Sequence, residues 1–201
     1  NSGMIHDYEY IYSFFHSQQE YHFKNDNDIK TIEWDSIQNV FYKNTGANGI
    51  IDDKYEVIGW HPYWMEDAYK YYNYDLLTML SFYSYDIDPI TGKNRNQEMV
   101  KRALEDSVPK FIKQQNPKIK VLLSITSFGS QNNELFLANR EVQNQFIEEL
   151  LSIMARGDFD GVDINFEQIP ILYGDFFKFF IRKLSTQLQN GQISLVFEDL
   201  D

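Results

Sequence analysis

The sequence predicts an α/β fold: a partial TIM (β/α)8 barrel of about five βα units over residues 55–201, preceded by a helical N-terminal extension over residues 1–54. Three observations predict it. Short β-like runs alternate with amphipathic helical stretches at a spacing of roughly 30–40 residues, the length of one crossover unit. The stretch FDGVDINFE, residues 159–167, carries Asp163, Asn165 and Glu167 at alternate positions of an otherwise apolar strand. The first strand candidate, ending in GWHPYW, has no G-x-G-x-x-G. An open doubly wound sheet, the other architecture compatible with this alternation, usually advertises its ligand site with such a turn.

Each element has its own signal. In the extension, Tyr8, Ile11, Phe14 and Phe15 recur at helical spacing, and Asp35-Ser36 is placed to cap a second helix running through Tyr42. NTGANG, 44–49, reads as a loop. YEVIGWHPYW (55–64) and LLTMLSFYSYDI (76–87) are the first two strands. DPITG then reads as a turn, with Pro89 preset for a corner and Gly92 closing it. A helix follows with Val100, Ala103 and Leu104 on one face; Pro109 breaks it, and Phe111-Ile112 opens a second piece. KVLLSITSF (120–128) is the third strand. Val142, Phe146, Ile147, Leu150, Leu151 and Met154 mark a helix closed near Gly157. FDGVDINFE is the fourth strand, Asp175 to Gln189 an aromatic-faced helix, and QISLVFED (192–199) the fifth strand. A whole barrel typically needs about 250 residues. Three further strands after Asp201, or a partner chain, are therefore expected against the edge of strand five.

Composition excludes several classes. A formal net charge of −12 argues against a duplex-binding protein, because phosphate contacts want Lys and Arg. With 43% hydrophobic residues the chain is too apolar to be disordered. No cysteine is present, so no thiolate metal site or disulfide framework is expected. His6, His16, His22 and His61 lack metal-ligand spacing, so no metal and no cofactor are predicted. No run of 18 apolar residues predicts a membrane span. The chain opens on Asn1 with no basic-then-apolar leader, the pattern of a mature form or a fragment. Aromatic content of 16%, with 14 Tyr and 16 Phe, suits a neutral ligand that stacks, such as a sugar.

On strand four, Asp163, Asn165 and Glu167 share one face, and Val162, Ile164 and Phe166 the other. A strand between two helices is covered on both faces, so a polar row there is costly unless it is used. FDGVDINFE resembles the Asp-x-x-Asp-x-Asp-x-Glu signature of glycoside hydrolase family 18, the chitinases and endo-β-N-acetylglucosaminidases. Asp160, Gly161, Asp163 and Glu167 match it, and Asn165 stands where the last Asp belongs. KVLLSITSFG resembles the family's strand-three segment, usually Ser-x-Gly-Gly: Ser124 matches, while Thr126 and Ser127 replace the glycines. EVIGWHPYW resembles its strand-one entry, and the likeness covers about residues 55–200.

The resemblance implies a retaining, substrate-assisted hydrolase of β-linked N-acetylglucosamine glycans, chitin-like or of the N-glycan core, acting on an oligosaccharide outside the cell or at its surface. Glu167 would be the general acid and the substrate's 2-acetamido oxygen the nucleophile. Geometry agrees: Asp163 and Glu167 are four strand residues apart, ~13 Å of backbone, whereas a two-carboxylate retaining pair needs ~5 Å. Asn165 would accept the acetamido N–H through its amide oxygen, without the family's negative charge. A related family, glycoside hydrolase family 85, resembles this arrangement in having Asn beside its catalytic Glu. Asp163 reads as a buried partner of Glu167. Asp160 either satisfies backbone groups or acts on substrate. Trp60, Tyr63, Trp64 and Phe128, with Ser124, form the expected substrate-binding set, the aromatics serving as a stacking floor or as ordinary core. The other readings of the chain are a non-catalytic glycan-binding module and a scaffold on a degenerate barrel.

Overall fold

The computed structural model describes residues 34–35, 40–41, 56–188 and 191–196. Two compact units divide the chain, Asn1–Gly49 and Ile50–Asp201. In the first, Trp34–Asp35 pairs antiparallel with Val40–Phe41. This corrects the expected helix from Asp35-Ser36 through Tyr42. Trp, Val and Phe fit a pleated, half-buried surface better than a helix, and that preference overrides the capping pattern. The helical spacing of Tyr8 to Phe15 and the loop at 44–49 lie outside the described residues.

The second unit is an α/β layer with five parallel strands in chain order: β1 Ile58–Pro62, β2 Met79–Asp86, β3 Lys120–Phe128, β4 Gly161–Glu167 and β5 Gln192–Val196. Every neighbour is parallel, as the alternation of strands and helices predicts. The helices are α1 Gln97–Leu104, α2 Val108–Gln115, α3 Ser130–Ala138, α4 Arg140–Gly157 and α5 Gly174–Gln187. β1 is shorter than the expected 55–64 because a 3-10 run, Tyr63–Tyr71, starts right after Pro62, which has no N–H to extend a ladder. Pro109 sits in the first turn of α2, where no intrahelical donor is lost. The DPITG turn closes as its sequence indicates: Asp88 Oδ1 accepts from the N–H groups of Ile90 and Thr91, and Gly92 N–H donates to Asp88 O at 2.8 Å. Gly92 has φ 72, and a Cβ there would lie 2.4 Å from Val142 O, so no other residue fits.

The two faces of the sheet differ sharply. Leu80 and Phe82 of β2, Val121, Leu123 and Ile125 of β3, and Val162, Ile164 and Phe166 of β4 pack against the helices. Over them, Phe136 meets Phe146 and Phe180 edge-on, with ring centroids 5.6 and 5.1 Å apart. Phe166 stacks on Phe180 at 5.8 Å. The alternate residues Ser81, Ser124, Thr126 and Asp163 are just as buried and point away from that core. Met79 and Leu122 share that second side, so it mixes apolar filling with buried polar groups.

Tyr69 and Tyr74 are buried, Tyr74 Oη donates to Tyr69 O, and Tyr72 Oη bonds His61 Nδ1 at 3.0 Å. His61, on the helical side of β1, packs edge-on against Tyr69 and Tyr72. Burial first, then Arg102, lowers its pKa from 6.5 to about 4. The folded protein therefore holds His61 neutral, while the unfolded chain takes up a proton below about 6.5. This contribution is fully present above pH 6.5 and is lost as pH falls toward 4, about 3 kcal/mol in all. In His61→Gln, the loss of unfolding free energy between pH 7.5 and pH 4.5, read by urea titration, is expected to shrink by roughly that amount. An unchanged pH slope would remove His61 as the source.

Candidate active site

β4 is fixed at its start by Asp160. Asp160 N–H donates to Val121 O, and Asp160 Oδ2 accepts from Val121 N–H, both at 2.8 Å. Its other oxygen takes Lys113 Nζ of α2 at 3.0 Å. Asp160 and Glu167 stand at opposite ends of the strand, ~23 Å apart along the backbone. Of the two readings of Asp160 the structure supports the backbone one: both carboxylate oxygens are engaged in joining β3, β4 and α2.

From that anchor the register runs up the strands, with Ser124 beside Asp163, Thr126 beside Asn165 and Phe128 beside Glu167. Asp163 is fully buried, and its Oδ2 accepts from Trp60 Nε1 at 2.8 Å and from Ser81 Oγ at 3.0 Å. Trp60 is on β1 and Asp163 on β4, three places away in the sheet order. In a flat sheet they would be ~14 Å apart, so the sheet curls and the polar side is its concave, inner side. Trp60 thus spends its indole N–H on Asp163 and braces the carboxylate, a bond in the plane of the ring that leaves its face open to the stacking role expected of it.

Further up, Ser84 Oγ and Thr126 Oγ1 are 3.1 Å apart. Asp163 Oδ1, Asn165 Oδ1 and Ser124 Oγ are buried and have no hydrogen-bond partner among the described residues. Three such groups on the concave side form a polar lining with capacity to spare, and a buried polar group without a partner calls for a ligand or water. Glu167 closes β4 at its C-terminal end, half-buried. Around the mouth stand aromatics: Phe128 is 40% exposed beside Glu167, Tyr63 meets Trp64 edge-on at 5.0 Å, and Trp64 meets Tyr83 edge-on at 5.6 Å. Tyr63, Trp64 and Phe128 remain open to the stacking role expected of them. Among the described residues no cluster of His, Asp and Glu is placed to hold a metal ion.

Sequence reasoning missed Ser81 and Asn133. Ser81 sits in a β-like run and touches Asp163 only because the sheet curls. Asn133 of α3 donates through Nδ2 to Glu167 O at 2.6 Å. No sequence signal marks either.

The sequence model of glycosyl hydrolases family 18 matches residues 10–197. The chain belongs to that family. The family 18 match begins ahead of the 55–200 stretch over which the motifs are recognisable. Solved structures agree on the fold. The spore cortex-lytic enzyme SleL of Bacillus cereus superposes with a TM-score of 0.59 at 15% identity, over 71% of this chain and 35% of that one. A class V chitinase from Nicotiana tobaccum gives 0.57 at 16% identity, over 69% and 43%. A family 18 chitinase from Cycas revoluta, solved with (GlcNAc)3, gives 0.56 at 21% identity, over 64% and 39%. The matched region spans less than half the length of each of these proteins. No curated protein matches the chain in a sequence comparison.

Proposed function

We propose that this family 18 protein hydrolyses glycans of β-linked N-acetylglucosamine, chitin-like or of the N-glycan core, with retention of configuration and with the substrate's own acetamido group as nucleophile. The observation that carries the reading is the row Asp163–Asn165–Glu167 on the concave side of β4, with Glu167 at the C-terminal end where βα barrels do their chemistry. Glu167 protonates the glycosidic oxygen as the bond to C1 breaks. The acetamido oxygen attacks C1 and closes an oxazolinium ring, so its nitrogen gains positive character. Asn165 Oδ1, buried and unpartnered among the described residues, accepts the acetamido N–H and aims the nucleophile. Water then opens the ring, with the carboxylate of Glu167 taking its proton. Asp163 Oδ2, held by Trp60 and Ser81, keeps a fixed carboxylate beneath the cationic ring. Tyr63, Trp64 and Phe128 offer faces for neighbouring sugars, and Ser124 a hydroxyl on the inner wall.

Action outside the cell or at its surface is part of the proposal. No helix among the described residues is long and apolar enough to cross a membrane. The free edge of β5, which has one neighbour among the described residues, is read as the place for further strands or a partner chain.

The test is turnover of a fluorogenic chito-oligosaccharide by the full-length protein, with the first-formed anomer read by NMR. A β product is expected; an α product, or binding without turnover, would sink the proposal. Binding without turnover is the second reading, a glycan-binding relative, and Asn165 favours it because an amide cannot supply the carboxylate that the family places there. Asn165→Asp separates the two. A carboxylate beside Asp163 and Glu167 adds a like charge, which makes one member of the row hold its proton to higher pH. In a working hydrolase the variant is expected to turn over faster, with its pH optimum raised by about one pH unit. In a binding module it leaves turnover absent and costs stability through buried charge.

A further inference from the structure

We propose that Asn133 is a positioning residue that sets the direction of Glu167 by holding its backbone carbonyl; this rests on the reading of Glu167 as the general acid. Helix α3 leaves β3 through Gly129, and three consecutive residues near its start reach back to the sheet. Asn132 Nδ2 donates to Phe128 O at 2.8 Å, at the end of β3. Asn133 Nδ2 donates to Glu167 O at 2.6 Å, at the end of β4. Glu134 Oε1 accepts from Tyr173 Oη at 2.9 Å, in the loop that follows β4. Phe128 and Glu167 are register partners, so one helix fastens the paired strand ends and the loop beyond them.

The carbonyl of Glu167 needs this support. The β3–β4 ladder stops at the Phe128–Glu167 pair, and the next residue, Gln168, turns away at φ 62, a region that residues with side chains seldom occupy. The direction of a carbonyl is set by ψ of its own residue, and the same torsion relates the side chain of Glu167 to the turn that follows. Holding the oxygen therefore fixes the direction in which the Cα–Cβ bond of Glu167 leaves the end of the strand. Asn133 is fully buried although it lies on a helix that is largely exposed. Its Oδ1 has no partner among the described residues. A leucine of similar volume would avoid that unpaired oxygen, so stability alone does not account for an amide here. Its side-chain hydrogen bond among the described residues, to the carbonyl of the acid, does.

The experiment measures kcat and KM of the full-length protein on an unactivated chito-oligosaccharide, with products read by chromatography, in the wild-type and Glu167→Gln backgrounds. Asn133→Leu is expected to lower kcat by about 10²-fold, the cost of misplacing a reacting group by about 1 Å, with KM within about twofold. In the Glu167→Gln background it is expected to lower the residual rate no further, since nothing remains to be positioned. An unchanged kcat, or an equal loss in both backgrounds, overturns the proposal. Wild-type turnover by Glu167→Gln alone would instead overturn the general-acid reading, and it is seen without any Asn133 variant. Asn133→Asp provides a second arm that keeps the side chain's size. A protonated carboxyl donates to the carbonyl and an ionised one cannot, so its kcat relative to wild type should fall as pH rises. A ratio flat in pH overturns the proposal, as does unfolding of both variants, which would make Asn133 a residue of the fold alone.

Discussion

Glu167→Gln is expected to remove hydrolysis by ~10²–10⁴-fold while chito-oligosaccharide affinity stays close to that of the wild type. Gln keeps the size of Glu and its hydrogen bonding, so the half-buried end of β4 should pack as before. It cannot hand a proton to the glycosidic oxygen, and it cannot take one from water when the oxazolinium opens. The acetamido nucleophile belongs to the substrate, so the variant still binds a reactive ligand and merely lacks the push on the leaving group. A substrate with an activated aryl leaving group needs that push less, so its hydrolysis should fall by a smaller factor than that of a natural glycosidic bond. Equal losses for both would place the role of Glu167 after bond cleavage. Wild-type rates on both would take Glu167 out of the mechanism.

The parts of this fold that can be read from sequence are those governed by local periodicity. β3 runs over Lys120–Phe128 as its run of β-branched and apolar residues indicates, and β4 alternates core and site residues with the strict period of a strand. The helices carry their apolar stripes openly, and α4 and α5 fall within a residue or two of their signals. α3 does not: SQNNELFLA shows no apolar stripe in its first turn, and only Phe136 and Leu137 near its end reach the apolar core. The site divides along the same line. Asp163, Asn165 and Glu167 were legible because they interrupt an apolar strand. The brace from Trp60 and Ser81 was not, because it depends on how far the sheet curls between β1 and β4, which no local pattern encodes. Asp160 was legible as part of a motif, yet a motif does not say which of its carboxylates faces the site. The register at Val121 and the ion pair to Lys113 show what Asp160 holds together.

Asp163→Ala is expected to cost both stability and activity, and comparison with Asp163→Asn separates the two. The Asp163 side chain is fully buried, and its Oδ2 is the acceptor for the Trp60 indole and the Ser81 hydroxyl. Alanine leaves both donors without that acceptor inside the barrel wall, at about 1–3 kcal/mol each before any water enters the gap. A loss of roughly 3 kcal/mol in urea unfolding is therefore expected, a large share of the stability of a domain this size. Asn at 163 keeps an oxygen for the same two donors and places its amide where Oδ1 now has no partner among the described residues, so stability should change by less than about 1 kcal/mol. Turnover should still fall under the proposed mechanism, because the carboxylate assigned to the oxazolinium is gone. At the ~7 Å spanned by two strand residues, and at an effective dielectric of about 20, that charge contributes about 2 kcal/mol, or roughly 30-fold in rate. The natural Asn165 makes this test sharper than it would be in a chain with aspartate at 165, since an amide there cannot compensate for the lost charge. If Asp163→Asn turned over at the wild-type rate, the carboxylate would be serving only to hold Trp60 and Ser81 in place, and the charge that steadies the intermediate would have to come from elsewhere in the site.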